Sequence, residues 1–219
     1  MSRKLQRLDL VGPAGRLEAL LTAPAGSPRA AALVCHPHPQ HGGSMHTRAV
    51  HHTALALVET GLCALRFNFR GVGRSEGSFG GGAGEREDAR AMLRWLAQSA
   101  PGLPLVLAGF SFGAAIALGL APELAAAAER VAALVGVGPA LVLDDFGFLA
   151  ATRQPVLLVA GDRDPYSPRA ALQGLQARLG SRLEVVLLLG AGHLLVERLP
   201  ELRAAVRAFV ARVLQPDSP

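Results

Sequence analysis

A serine lies at the centre of the segment Gly109-Phe110-Ser111-Phe112-Gly113, which has the pattern G-x-S-x-G. A serine hydroxyl is a weak nucleophile unless a tight turn exposes it beside a general base and near backbone N–H groups that can stabilise an oxyanion. An apolar run, residues 103–108, precedes the segment and an alanine-rich run follows it, so the turn should lead from a strand into a helix. The segment therefore predicts nucleophilic catalysis by Ser111, with hydrolysis as the reaction.

A general base for Ser111 is found at one place in the chain. Histidine suits this role because its pKa lies near neutral pH, and six of the seven histidines lie at or before residue 52. The seventh, His193, follows a predicted strand in the loop Gly190-Ala191-Gly192-His193. The base in turn needs a carboxylate that fixes its tautomer and stabilises the imidazolium. The candidate carboxylates lie in two loops that follow predicted strands: Asp144 and Asp145 in one, Asp162 and Asp164 in the other.

The elements that must position these side chains alternate along the chain. Short apolar runs are separated by longer amphipathic or alanine-rich segments, and this alternation predicts an α/β fold with a mostly parallel sheet. The predicted strands are Leu5–Val11, Arg16–Thr22, Ala30–Cys35, Cys63–Asn68, Leu103–Ala108, Val131–Val137, Val156–Ala160 and Leu183–Leu189. The predicted helices are Thr47–Glu59, Glu85–Ala100, Phe112–Leu120, Pro168–Leu179 and Glu197–Leu214. The first two strands flank Gly12-Pro13-Ala14-Gly15, which predicts a hairpin and an antiparallel edge.

The order serine, aspartate, histidine, together with the G-x-S-x-G turn, a G-x-x-D-x-x-x-P loop at 161–168 and a terminal Gly-His loop, resembles the α/β-hydrolase superfamily. The resemblance implies that Asp164 is the triad acid and that Asp162 stabilises its loop. It also implies an eight-stranded or slightly smaller, mostly parallel sheet with helices on both faces. The H-P-x-P…G-G-S-M pattern of residues 36–45 and the segment Arg66–Ser75 are similar to small bacterial hydrolases without a cap domain, described as esterase-like or dienelactone-hydrolase-like. The resemblance covers nearly the whole chain.

An oxyanion hole needs two backbone N–H groups. The first is expected from Phe112, directly after the nucleophile, and the second from the loop after the third strand. Pro37 and Pro39 in that loop have no N–H, so His38 is the expected donor and Gln40 the next candidate. Fewer than twenty residues separate the sixth and seventh predicted strands, which is too short for a cap domain, so an open site is expected.

Four apolar side chains in predicted loops could line an acyl pocket or belong to the core: Met45, Phe79, Phe146 and Phe148. A histidine-rich stretch, residues 36–52, raises the alternative of a zinc site. No carboxylate lies within that stretch and two prolines stiffen it, so we expect no functional metal and no cofactor. The glycines at 71, 73 and 77 resemble a dinucleotide-binding fingerprint, but Glu76 stands in place of its third glycine and no helix follows directly. We interpret them as turn residues.

Length and composition set the remaining bounds. The 219 residues contain no Ser/Gly/Pro-rich linker, so one domain over 1–219 is expected. No apolar run reaches the roughly 18 to 20 residues of a membrane span, and Asp9, Gly12 and Pro13 interrupt any signal-peptide core. The two cysteines fit buried thiols in a cytoplasmic protein. The net charge of +5 comes from scattered arginines without a basic run, which argues against nucleic acid.

The function expected from these observations is a serine hydrolase for a small to medium ester or thioester. The alternative is a non-catalytic protein of the same fold that binds a ligand or a partner.

Overall fold

The structure is a computed structural model that describes residues 3–126 and 130–215. Eight strands form one sheet in the spatial order β1-β2-β4-β3-β5-β6-β7-β8. Their bounds are β1 Lys4–Gly12, β2 Gly15–Ala23, β3 Ala30–Cys35, β4 Leu62–Phe67, β5 Leu105–Phe110, β6 Val131–Val137, β7 Val156–Gly161 and β8 Leu183–Leu188. β2 runs antiparallel to both of its neighbours, and the remaining pairs are parallel. The sheet is therefore mostly parallel with a hairpin at one edge, as the sequence predicts.

Helices cover both faces of this sheet. Their bounds are α1 Arg48–Glu59, α2 Ala83–Ser99, α3 Phe112–Leu118, α4 Ala121–Ala126, α5 Arg169–Leu179 and α6 Leu199–Val213. Apolar side chains of α2, α3 and α5 form one core with one face, and those of α1 and α6 form a second core with the other face. β3, β4, β5 and β7 are buried at every position because they lie between the two cores. Such strands appear in the sequence as continuous apolar runs.

The carboxyl ends of the parallel strands carry the loops of interest. The connection from β6 to β7 contains only a short 3₁₀ turn, Gly147–Ala151, so no cap domain covers this edge. Open parallel sheets bind their ligands at this edge. Within the described residues, no helix combines the length and the apolar character needed to cross a membrane.

Candidate active site

Ser111 lies at the turn between β5 and α3 in a conformation that non-glycine residues rarely adopt, with φ 55° and ψ −123°. Its backbone is held on both sides, because its N–H donates to Val137 O (2.9 Å) and its carbonyl accepts from the N–H of Ala114 (2.8 Å). Such strained positions persist only where the surroundings fix them. The sheet and the helix together therefore keep the serine at the tip of the turn.

The two glycines of the segment are required by close backbone contacts. A Cβ on Gly109 would lie 2.1 Å from the carbonyl oxygen of Gly113. A Cβ on Gly113 would lie 2.3 Å from the carbonyl oxygen of His36, in the loop after β3. Both distances are far below van der Waals contact, so any side chain at either position would push apart the strand, the helix or the neighbouring loop.

A continuous chain of hydrogen bonds leads from Ser111 to a buried carboxylate. Ser111 Oγ lies 2.9 Å from Nε2 of His193, and Nδ1 of the same ring lies 2.8 Å from Oδ2 of Asp164. The Asp164 side chain has no exposed surface, and its Oδ1 accepts from the N–H of Tyr166 at 2.8 Å. The structure thus brings together the three residues that the sequence singled out as nucleophile, base and acid.

Two aromatic rings fix the plane of the His193 imidazole. Phe110 stacks on it with ring centroids 5.3 Å apart, and Tyr166 contacts it edge-on at 4.7 Å. The side chain keeps about a fifth of its surface exposed (19%), so the ring is oriented but still open to a substrate. Tyr166 lies two residues after Asp164 in the same loop, and sequence reasoning did not assign it a role.

The loops that carry Asp164 and His193 are tied to each other. Asp162 Oδ1 accepts from the N–H of Gly190 at 2.7 Å, and the N–H of Arg163 donates to Ala191 O at 3.1 Å. Asp162 therefore joins the loop of Asp164 to the loop of His193. This contact agrees with the loop-stabilising role that the resemblance implied. Asp144 and Asp145, the other candidate carboxylates, make no hydrogen bond to the imidazole among the described residues.

His38 and Phe112 face each other beside the serine, with ring centroids 4.9 Å apart. Among the described residues, no acceptor is found for the backbone N–H of either one. The Gln40 N–H, by contrast, donates to His38 Nδ1 at 3.2 Å inside a 3₁₀ turn, Pro39–His41. Of the two donors considered for this loop, His38 is thus the one whose N–H is not used within the loop.

His36 anchors the loop that carries His38. Its Nδ1–H donates to Pro37 O at 2.6 Å, and its Nε2 accepts from the N–H of Phe69 at 3.0 Å. The ring is fully buried, and this burial lowers the pKa of His36 to about 4, so it is neutral at physiological pH. No group of three His, Cys, Asp or Glu side chains suited to a metal ion occurs in the described parts of the chain.

Polar side chains hold the loop after β4 in place. Arg70 forms a bidentate pair with the buried carboxylate of Asp88, with nitrogen–oxygen distances from 2.8 to 3.1 Å. Asn68 donates to Glu18, which also accepts from the N–H of Arg74. These contacts tie the loop after β4 to α2 and to β2.

A cavity of about 440 Å³ opens above Ser111. Its lining comprises Pro37, His38, His41, Phe79, Gly81, Phe110, Ser111, Phe112, Ala140, Leu143, Asp144, Tyr166, His193 and Leu194. Of the four apolar side chains considered for an acyl pocket, only Phe79 lies in this wall. Leu143 and Leu194, which sequence reasoning did not single out, are largely exposed at its rim.

Met45, Phe146 and Phe148 do not reach this cavity. Met45 is buried, and its backbone bonds to the side chains of Asn68 and Arg66. Phe146 is 3% exposed in the core and contacts Phe148 with ring centroids 5.6 Å apart. Both phenylalanines turn inward because the β6–β7 connection closes over the core that α5 also covers.

Asp144 is the single carboxylate among the residues that line the cavity. Burial raises the pKa of this carboxyl, and the nearby His38 opposes the effect. Burial also lowers the pKa of His38, with a further contribution from His41, so the ring beside the serine favours its neutral form.

Comparison with known proteins agrees with this architecture. The sequence profile of the serine aminopeptidase S33 family matches residues 26–150. An α/β serine hydrolase homologue from Coxiella burnetii is 38% identical, with a TM-score of 0.86 over 94% of this chain and 97% of that one. An α/β serine hydrolase without a lid from Xanthomonas campestris is 33% identical, with a TM-score of 0.85 over 99% and 97% of the two chains.

A curated relative, an uncharacterised protein of Rickettsia prowazekii, is 34% identical over 212 residues, which cover 92% of this chain and 87% of the relative. The family profile alone spans more than half of the chain, and the structural neighbours span nearly all of it. The chain belongs to the α/β-hydrolase superfamily, in the serine aminopeptidase S33 family.

Proposed function

We propose that this protein is a serine hydrolase that cleaves a carboxylic ester or thioester through an acyl-enzyme, with Ser111, His193 and Asp164 as its catalytic triad. The observation that carries the proposal is the unbroken hydrogen-bond chain Ser111 Oγ–His193–Asp164, with distances of 2.9 and 2.8 Å. This geometry supplies a nucleophile, a base within reach of its proton, and a carboxylate that orients the base.

In the acylation step, Ser111 Oγ attacks the carbonyl carbon of the substrate while His193 Nε2 takes the hydroxyl proton. Asp164 accepts the Nδ1–H and stabilises the imidazolium. The N–H groups of Phe112 and His38 donate to the oxyanion of the tetrahedral intermediate. The bond to the leaving oxygen or sulfur then breaks, and His193 returns its proton to the departing alcohol or thiol.

Deacylation repeats the same steps with water as the nucleophile. His193 removes a proton from water, the hydroxide attacks the acyl-serine, and the carboxylic acid leaves as Ser111 recovers its proton. Every proton in this cycle passes through His193, so the chemistry needs no cofactor.

The cavity wall favours an apolar acyl group of small to medium size. Phe79, Leu143, Leu194 and Tyr166 supply apolar surface around a volume of about 440 Å³, within the usual range for small-molecule sites. The name of the family refers to aminopeptidases, which must bind the free ammonium group of their substrates. Asp144 is the one carboxylate in the described lining, and burial disfavours its charged form by raising its pKa. We therefore propose an ester or thioester rather than a peptide.

Both cysteines, Cys35 and Cys63, are buried free thiols. Burial raises the pKa of each thiol, which keeps it in its unreactive protonated form. These features support the proposal that the enzyme acts in the reducing environment of the cytoplasm.

Labelling with a fluorophosphonate probe tests the nucleophile. We expect one adduct per chain, located at Ser111, and no adduct in Ser111→Ala. The matched control is Ser78→Ala, which removes an exposed serine next to Phe79 and should label like the wild type. Hydrolysis of p-nitrophenyl esters should fall at least about a thousandfold in Ser111→Ala. A folded wild-type protein that hydrolyses these esters no faster than Ser111→Ala would favour the non-catalytic binding role instead.

Substrate class is tested by comparing an acetyl ester and an acetyl thioester with an aminoacyl anilide. We expect kcat/KM for p-nitrophenyl acetate and for an acetyl thioester to exceed that for alanine p-nitroanilide by at least about a hundredfold, because the cavity offers the ammonium group only one weakly acidic partner. Asp144→Asn should leave ester turnover within about threefold of the wild type. A higher kcat/KM for the anilide, lost in Asp144→Asn, would identify an aminopeptidase.

A further inference from the structure

A second cavity, of about 560 Å³, lies at the hairpin edge of the sheet and shares no lining residue with the cavity above Ser111. Its walls come from β1, β2, β4, the loop after β4, the segment before α1 and α1 itself. They comprise Leu5, Arg7, Glu18, Ala19, Leu20, Met45, His46, His51, Arg66 and Arg74. We refer to these residues as the arginine cleft. Three arginines and two histidines face a single carboxylate here, so the cleft is strongly basic.

The sheet register places two of the arginines on one row. Arg7 pairs with Leu20 across β1 and β2, and Leu20 pairs with Arg66 across β2 and β4. Directly paired residues point to the same face of a sheet, and neighbouring strands lie about 4.8 Å apart. The Cα atoms of Arg7 and Arg66 are thus roughly 10 Å apart, a span that two arginine side chains can close around one ligand above Leu20.

Arg66 is a buried cation without a counterion. The residue is 4% exposed, and the one hydrogen bond that its side chain forms with the described residues runs from Nη1 to Met45 O at 2.7 Å. Its buried Nε–H has no acceptor, and no carboxylate of the described chain lies within ion-pair distance of its guanidinium. Burial without a compensating anion lowers its pKa. An unpaired buried charge costs free energy unless a partner is supplied.

The carboxylate in the arginine cleft, Glu18, already has hydrogen-bond and ion-pair partners. Glu18 Oε2 accepts from the Arg74 N–H (3.1 Å) and from Asn68 Nδ2 (2.9 Å), and Oε1 pairs with Arg74 Nε at 3.2 Å. Burial acts to raise the pKa of Glu18, but these hydrogen bonds hold that pKa below its ordinary value. Arg74 also contacts Asp9, so its charge is balanced. Among the described residues, Arg7 forms no ion pair, so Arg7 and Arg66 remain as free positive charges.

We propose that the arginine cleft binds a phosphate group, with Arg66 and Arg7 as its principal ligands and the histidines His46 and His51 at its rim. A phosphate offers several strong acceptor oxygens, and arginine donors bind such oxyanions with charge-assisted hydrogen bonds. The volume of the cleft exceeds that of a single phosphate ion, so it can also hold a small organic group attached to the phosphate. The site does not depend on the proposed hydrolytic activity.

Isothermal titration of the purified protein at constant ionic strength and near-neutral pH tests this site. The two probes are inorganic phosphate and phenyl phosphate. We expect one saturable site, with tighter binding of phenyl phosphate if the ligand is an organic phosphate and of inorganic phosphate if it is the free ion. Arg66→Met should abolish binding, and Arg7→Gln should weaken it about tenfold or more, the effect of losing one charge-assisted bond.

Arg178→Gln is the matched control, because it removes the same charge from an exposed position on α5, across the sheet. It should bind both probes like the wild type. If Arg66→Met does not fold, Arg7→Gln and His51→Gln still test the site, since both positions are exposed. The proposal is overturned if neither probe gives saturable binding, or if Arg7→Gln and Arg178→Gln bind with equal affinity.

Discussion

In the cavity above Ser111, each side-chain polar atom of the proposed triad has a protein partner, whereas in the arginine cleft the Nε–H of Arg66 is buried with none. Both cavities nevertheless contain donors that the described protein does not satisfy. Above Ser111 these donors are two neutral backbone N–H groups, those of His38 and Phe112. In the cleft the unsatisfied donor belongs to a full positive charge.

The difference shows two ways in which a fold prepares for a ligand. The side chains of the proposed triad are held by their own hydrogen bonds. In the proposed reaction, the backbone donors of His38 and Phe112 bind charge that develops only in the transition state, as electrostatic preorganisation requires. The cleft instead holds a buried charge that the described residues do not balance, and for this reason we propose a stable anion as its partner. Substitutions that remove one partner at a time test this difference between the two cavities.

The largest expected effect comes from breaking the triad at its buried end with Asp164→Asn. The amide can donate to His193 Nδ1, which favours the tautomer with its proton on Nε2, and that tautomer cannot accept the Ser111 proton. We expect kcat to fall about 10³- to 10⁴-fold with little change in KM. Steady-state hydrolysis of a p-nitrophenyl ester measures this loss.

Asp162→Asn is the matched control, because Asp162 lies in the same loop and, among the described residues, its side chain accepts only from the Gly190 N–H. The side-chain carbonyl of asparagine can still accept that bond, so kcat should stay within about tenfold of the wild type. Equal losses of kcat in the two variants would mean that Asp164 supports its loop and does not orient His193. The bond between Asp164 and His193 would then be an ordinary loop contact rather than part of a preorganised catalytic site.

Ser111 and His193 could be predicted from the residues themselves, because each follows a strand whose carboxyl end lies at one sheet edge. The residues left four aspartates open as the acid, and only the resemblance to the α/β-hydrolase superfamily selected Asp164. All eight predicted strands are present, with bounds shifted by up to two residues at their ends. The fifth strand begins at Leu105 rather than Leu103, next to Pro104, which cannot donate to a ladder. The predicted helix 112–120 ends at Leu118, and the separate helix α4 that follows was missed because an alanine-rich sequence has no apolar period.

Loop side chains were less predictable, since no periodicity fixes which way a loop residue points. Met45 and Phe146 could equally line an acyl pocket with Phe79 or belong to the core, and both are buried away from the cavity above Ser111. Arg66 offered a signal that was not used. It is the one charged residue in the otherwise apolar strand β4, and a cation at a buried strand position needs a partner.

A smaller effect, on stability, is expected from His36→Gln. The glutamine can still accept from the Phe69 N–H but does not titrate. The pKa of His36 is about 4 in the folded protein against 6.5 for an ordinary histidine. Below pH 6.5 the unfolded chain takes up a proton that the folded protein does not, so the free energy of unfolding falls as the pH drops from 6.5 to 4. This group accounts for about 3 kcal/mol of that loss.

Urea unfolding at several pH values, followed by the fluorescence of the single tryptophan, Trp95, measures the slope. The variant should lose less stability than the wild type over this interval. If the free energy of unfolding depends on pH equally in the two proteins, His36 is not a neutral, buried group. The view that satisfied hydrogen bonds hold the loop beside Ser111 would then also fail.

The smallest expected effect is that of Arg66→Met on stability without phosphate. Removing an unpaired buried charge relieves its desolvation cost, while the lost hydrogen bond to Met45 O costs about 1 kcal/mol, so the free energy of unfolding should change by no more than about 1 kcal/mol. Arg70→Met is the matched comparison. This substitution leaves the buried Asp88 carboxylate without its arginine partner and should lower the free energy of unfolding by about 3 to 5 kcal/mol. Urea unfolding of both variants measures the two losses. If Arg66→Met lowers the free energy of unfolding as much as Arg70→Met, the charge of Arg66 is balanced inside the protein. The arginine cleft then no longer differs from the triad in needing an anion from outside.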